Sequence, residues 1–193
     1  MNCRLPALAA LFPLLAACGT NAGEKSSAPA YVDEAPLPKG WPQPGPYQQV
    51  ALKHYPAYRA AFVGGKRETG AFWTLFGHIK KHDIPMTAPV EMAMNPAGES
   101  LDMASMAFLY QDQSVGKAGP DGTKVEVRDV PAAKALSYAW QGEDSPANLA
   151  AAKTALDAEL AKRHLTSRHF RLLGYNGPAT PRAKRTWELQ ALP

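Results

Sequence analysis

Between Gln48 and Leu192 the hydrophobic pattern runs strand, strand, helix, strand, strand, and then runs through that order again. "QQVALKHY" and "AYRAAFVG" are extended runs broken at Tyr55-Pro56, and "RETGAFWTLFGHIKKHD" follows with helical period. There Phe72, Leu75, Phe76 and Ile79 recur at i, i+3, i+4 and i+7, the apolar stripe that a helix lays on a core. After two more extended runs and the plain loop "VGKAGPDGT", the strands "KVEVRDV" and "AKALSYAW" lead into a second helix, "SPANLAAAKTALDAELAKRHL". Ser145 is placed to cap it, Pro146 suits its first position, and Leu149, Ala152, Leu156 and Leu160 supply its apolar face. "SRHFRLLGY" and "RTWELQAL" close the second round as strands. The two rounds share an order but almost no residues.

Eight or so strands with two helices imply an α+β domain, its strands mainly antiparallel and its helices covering one side or the mouth of a curved sheet. The stretch "DIPMTAPVEM", residues 83–92, adds a constraint. Proline removes a ladder donor, so Pro85 and Pro89 belong where a strand begins, bends or forms an edge. In a distorted barrel Ile84, Met86 and Val90 would then alternate inward, with Met86 and Val90 beneath Phe72, Phe76 and Ile79.

The N-terminus reads as something other than fold. "MNCRLPALAALFPLLAAC" carries one early positive charge, Arg4, and an apolar run from Leu5 to Ala17 that is too short and proline-broken to span a bilayer. It suits the core of a signal peptide, residues 1–17. Its "LLAACGT" ending resembles the lipobox of bacterial lipoproteins, in which Cys18 would be lipidated and become the first mature residue. Cys3 and Cys18 are the two cysteines; losing Cys3 with the signal would leave one thiol without a disulfide partner, which acylation would remove. Gly19 after the cysteine favours, by the same resemblance, the outer membrane facing the periplasm. Residues 18–46 are rich in Pro, Gly, Ser and Ala and read as a semi-extended tether, so the folded domain is expected over 47–193. A net charge of +4 is too mild to argue for nucleic acid.

Catalytic signatures are wanting: no Gly-rich phosphate loop, GxSxG elbow or HExxH is present, and no free cysteine would remain after acylation. The expectation is a non-enzymatic protein. Histidine is the commonest side-chain metal ligand, so the histidines need weighing. His54 shares a strand face with Val50 and Leu52; it points inward if they do, and is otherwise a solvent-side edge histidine. His78 and His82 are four apart and share a helix face. At ~100° per residue, His82 falls about 70° from the centre of the apolar stripe and His78 about 110°. Such a pair can bind a divalent metal, but two ligands do not complete a zinc site, and no carboxylate sits at matching spacing. Lys80 and Lys81 complement the dipole of the helix's last turn or, alternatively, meet ligand carboxylates.

"VALKHYPAYRAAF", "AFWTLFGHIKKHDIPMTAPVEM" and "LLGYNGPATPRAKRTWEL" resemble three blocks of the SOUL haem-binding family, in the same order and over about residues 47–190. The resemblance implies a distorted antiparallel β-barrel with two flanking helices, built from a duplicated unit. It also implies non-covalent, non-catalytic binding of haem or a related tetrapyrrole. A histidine at the position of His54 is one haem-associated surface in the family. The other is an apolar groove on the first helix, matched here by Trp73, Phe76, Lys80 and Lys81, and flanked by His78 and His82. The alternative is a lipoprotein that kept the scaffold, lost haem, and is structural or binds or hydrolyses another small apolar ligand.

Overall fold

The computed structural model describes residues 30–65, 68–97, 100–167 and 169–193. The expected signal segment 1–17, Cys18 and the expected tether as far as residue 29 lie outside the described residues. In chain order the elements are β1 (Val50–Tyr55), β2 (Tyr58–Gly64), α1 (Glu68–Lys81), β3 (Val90–Ala97), β4 (Ser100–Leu109), β5 (Gly119–Asp121), β6 (Val125–Val130), β7 (Ala133–Gln141), α2 (Pro146–Lys162), β8 (His169–Gly174) and β9 (Thr186–Leu192). The α+β expectation with two helices holds. The strands form one antiparallel sheet in the order β1-β7-β9-β8-β3-β4-β2-β6-β5.

That sheet corrects the expected barrel of about eight strands: there are nine among the described residues, and the sheet is open. Its two edges, β1 and β5, do not pair. The additional strand β5 lies inside what reads as plain loop, and its three residues include Pro120, which has no N–H to offer a further strand. Matching β1–β4 with β6–β9 leaves the strand order the same from either end, a regularity of connectivity that the residues themselves do not repeat.

Alternation along the strands gives the sheet two buried faces. Val63, Met92, Met106, Phe108, Leu136, Leu172 and Leu189 face the helices, where they meet Leu75 and Ile79 of α1 and Leu156 and Leu160 of α2. Ser145 caps α2 as expected, its hydroxyl accepting from the Asn148 N–H at 3.3 Å. On α1 the buried face is Ala71, Leu75, His78 and Ile79, with Phe72 and Phe76 only half-buried, so the stripe is rotated from the one read in sequence. Residues 83–89 form the connection into β3, which begins immediately after Pro89. Ile84 is buried, and Met86 and Val90 are partly buried against the same core, so their inward alternation holds.

The opposite face carries Tyr55, Tyr58, Phe62, Leu109, Leu173 and Tyr175. It is covered by residues 31–41, where Tyr31, Ala35, Leu37 and Trp41 pack onto it. This strap is bonded down by Lys39 N–H to the Gln111 carbonyl (2.9 Å) and Ala88 N–H to the Pro36 carbonyl (3.1 Å). The later part of the expected tether is therefore packed structure.

Candidate functional site

The first helix carries an aromatic ledge on its outer side. Phe72 stacks parallel to Phe76 with ring centres 6.2 Å apart, and Trp73 meets both edge-on at 5.5 and 5.7 Å. Phe72 is anchored edge-on to Phe108 in β4 at 5.1 Å, which fixes the ledge to the sheet. Trp73 is 62% exposed, an unusual position for so much apolar surface. One turn on, the Lys80 ammonium lies 5.7 Å from the centre of the Phe76 ring. The sequence-derived groove residues Trp73, Phe76 and Lys80 thus stand together on the outer side of α1.

Lys81 and the two histidines turn the other way, towards β5. His78 Nδ1 lies 2.7 Å from Asp121 Oδ2, and His78 Nε2 lies 2.7 Å from the Tyr110 hydroxyl. His82 Nε2 approaches the same Asp121 oxygen at 3.0 Å, while the Lys81 ammonium donates to Asp121 Oδ1 at 2.7 Å. These hydrogen bonds, from Lys81 first and then His78 and His82, hold the Asp121 carboxyl well below the usual carboxylate range. Burial pushes the Tyr110 hydroxyl up to about 12. The cluster borders a cleft of about 510 Å³ lined by Ile84, Val127, residues 116–118 and β5.

Two sequence expectations change here. His78, projected further from the apolar stripe, is the buried histidine, and His82 is exposed. The reason is that β5 and Tyr110 cover the flank of α1 that carries His78, whereas α1 ends at Lys81 and leaves His82 beyond it. The missing carboxylate also exists: Asp121 comes from 39 residues beyond His82, a distance no local spacing rule could bridge.

His54 is exposed on the edge strand β1, opposite Lys134, with Leu52 exposed beside it. The inward residues of that strand are instead Lys53 and Tyr55. They lead to a buried polar cluster that sequence reading missed. Tyr55 donates to Glu188 Oε1 at 2.5 Å, Lys53 pairs with Glu188 Oε2 at 2.6 Å, and Gln190 donates to Glu188 Oε1 at 2.6 Å. Arg171 donates through Nε to Gln190 and through Nη1 to Tyr58 (3.0 Å) and Glu91 (3.2 Å), and Tyr58 donates to Glu91 at 2.6 Å. Trp41 closes the cluster, its ring 5.6 Å from the Arg171 guanidinium and its N–H bonded to the Tyr175 hydroxyl at 3.4 Å. Burial, then the adjacent Glu188 and Glu91 carboxylates, push the Tyr55 and Tyr58 hydroxyls far above their ordinary range. The available signal was a charge at an alternate position of an otherwise apolar strand, as in "HFRLLG" and "TWELQAL".

The family model described as "SOUL heme-binding protein" matches residues 46–191, most of the chain. The chain belongs to the SOUL haem-binding family. No curated protein matches it. Among solved structures, this SOUL chain resembles the C-terminal domain of EcmrR, at 17% identity and TM-score 0.54, over 75% of this chain and 96% of that one. In the EcmrR–DNA complex the match has 16% identity and TM-score 0.56 and spans 56% of the EcmrR chain, against 75% of this one. A hydrolase from Listeria innocua is similar at 14% identity and TM-score 0.54, covering 77% of this chain and 93% of that one. At such identities these likenesses show the fold alone.

The residues of this SOUL protein can be tested against the haem its family implies. His78 has both ring nitrogens engaged, with Asp121 and Tyr110, so it would have to abandon a buried bond to ligate iron. The exposed Trp73 face and the Lys80 ammonium are the aromatic and cationic groups that the outer side of α1 presents.

Proposed function

We propose that this chain is an envelope-anchored, non-catalytic binding protein for haem or a related tetrapyrrole, held non-covalently on the outer side of α1. The observation that carries this reading is Trp73, exposed beside Phe72 and Phe76 with Lys80 one turn away. Trp73 stacks on the macrocycle, Phe76, perpendicular to Trp73, presents an apolar wall beside it, and Lys80 meets a propionate. A soluble form beginning at residue 24 should show a saturable Soret shift at micromolar haem. Trp73→Ala should weaken binding about fivefold, the value of one aromatic contact near 1 kcal/mol, with no change in melting temperature. A linear, unsaturable absorbance would sink the reading; equal affinity in Trp73→Ala would move the site off the ledge.

Membrane attachment in this proposal runs through acylated Cys18. No helix among the described residues is long and apolar enough to cross a membrane. Cys18→Ser should abolish incorporation of a fatty-acid analogue, and equal labelling of wild type and variant would refute the anchor.

A second reading, in which the scaffold has lost haem and binds or hydrolyses another small apolar ligand, is favoured by one feature. The Lys53–Glu188–Tyr55 group joins a carboxylate, an amine and a hydroxyl in a buried setting, the ingredients of acid–base chemistry. Trp41 lies directly against Tyr55, which closes that face as it stands.

A further inference from the structure

We propose that His78, His82 and Asp121 form a three-ligand site for a late first-row divalent cation, Zn²⁺ foremost, with its remaining coordination position facing the cleft beside β5. The donor set is two imidazoles and one carboxylate, which suits zinc and its neighbours and does not suit calcium or magnesium. The three ligand atoms lie within 4.8 Å of one another. Tetrahedral zinc with bonds of 2.0–2.2 Å sets its ligand atoms about 3.3 Å apart. His78 Nδ1 and His82 Nε2 stand 2.7 and 3.0 Å from Asp121 Oδ2, so an ion enters after the carboxylate withdraws by roughly half an ångström. Asp121 belongs to the three-residue edge strand β5, which can make that adjustment without disturbing the core.

The surroundings have the form of a prepared site. Histidine ligands of metals commonly use the second ring nitrogen to bond an outer partner that fixes the ring, and Tyr110 already holds His78 Nε2 at 2.7 Å. Coordination through Nδ1 leaves the ring proton on Nε2, and the Tyr110 hydroxyl is placed to accept it. His78 is buried and rigidly placed, His82 is exposed, and both line the cleft of about 510 Å³ into which the open position points. Water fills that position by default, and an oxygen or nitrogen donor of a small ligand in the cleft can replace it. The opposing feature is Lys81, whose ammonium bonds the far Asp121 oxygen and repels a cation. Its side chain is 64% exposed and free to turn into solvent.

The cluster could also serve only to pin β5 to α1, and metal titration separates the two roles. The purified full chain, in detergent and stripped with a chelator, is titrated with Zn²⁺ by calorimetry and with Co²⁺ by visible absorption. One Zn²⁺ per chain at micromolar or tighter affinity is expected, with Co²⁺ giving the d–d bands of a low-coordinate site. His82→Ala and Asp121→Asn should each weaken Zn²⁺ at least tenfold, Tyr110→Phe should weaken it less, and Lys81→Gln should tighten it several-fold. His54→Ala, remote from the cluster, should change nothing. Melting curves in chelator confirm that the variants are folded before affinities are compared. Absence of saturable binding, or equal affinity in wild type, His82→Ala and Asp121→Asn, overturns the site and leaves the cluster as a hydrogen-bonded clasp.

Discussion

Arg171→Met should destabilise the fold by about 3–5 kcal/mol, the cost of leaving a buried charge without its partner. Arg171 and Glu91 are both buried, on the central neighbours β8 and β3, and their side chains meet at 3.2 Å. Methionine fills much of the volume of the arginine stem but leaves the Glu91 carboxylate with the Tyr58 hydroxyl as its remaining partner in the cluster. It also releases Gln190 from Arg171, and Gln190 is what links this pair to Glu188. For a domain of this size the loss corresponds to a fall in melting temperature of roughly 10 °C. The decisive comparison is the double variant Arg171→Met with Glu91→Leu. Replacing both charges by apolar groups is often neutral, so the double variant should melt well above Arg171→Met alone. An Arg171→Met protein that melts like wild type would show that the network contributes nothing to stability.

That network marks the limit of what the sequence made legible. Both helices, the eight strands other than β5 and the inward set Ile84, Met86 and Val90 were readable because each follows from a local period. Openness of the sheet was not readable, because closure depends on whether β1 and β5 meet across the whole fold, and neither strand states this in its residues. The histidine pair illustrates the same limit. His78 and His82 were identifiable as neighbours, but their burial was inverted because the covering groups, Tyr110 and β5, come from elsewhere in the chain. The aromatic and basic groove residues were placed by resemblance, and Trp73, Phe76 and Lys80 do share one surface, while Lys81 is drawn away by Asp121. Lys53 and Tyr55 were overlooked because His54 drew attention to the wrong face of β1. Shifting attention by one residue exchanges a solvent-facing set for a buried one.

Trp41 should prove as important to stability as any core side chain, although it sits in the proline-rich "GWPQPGP" that reads as tether. Trp41→Ala is expected to cost about 3–5 kcal/mol, in the range for deleting a large buried aromatic ring. The ring is 6% exposed and meets Tyr55 and Tyr58 edge-on, with centres 4.8 and 5.3 Å away. Its loss opens a path for water to Arg171, so the cost combines lost contact with weakened shielding of the ion pair. Trp41→Phe keeps an aromatic ring and gives up the bond to the Tyr175 hydroxyl, and should cost closer to 1 kcal/mol beyond any packing change. A chain beginning at residue 47 removes the whole strap, with Tyr31, Leu37 and Trp41, and should be less stable than the Trp41→Ala variant. Urea denaturation of the three proteins beside a chain beginning at residue 30 gives the order directly. If the chain from residue 47 unfolds at the same urea midpoint as the longer one, the strap is a passive tether. Trp41 would then rest on the sheet without holding it together.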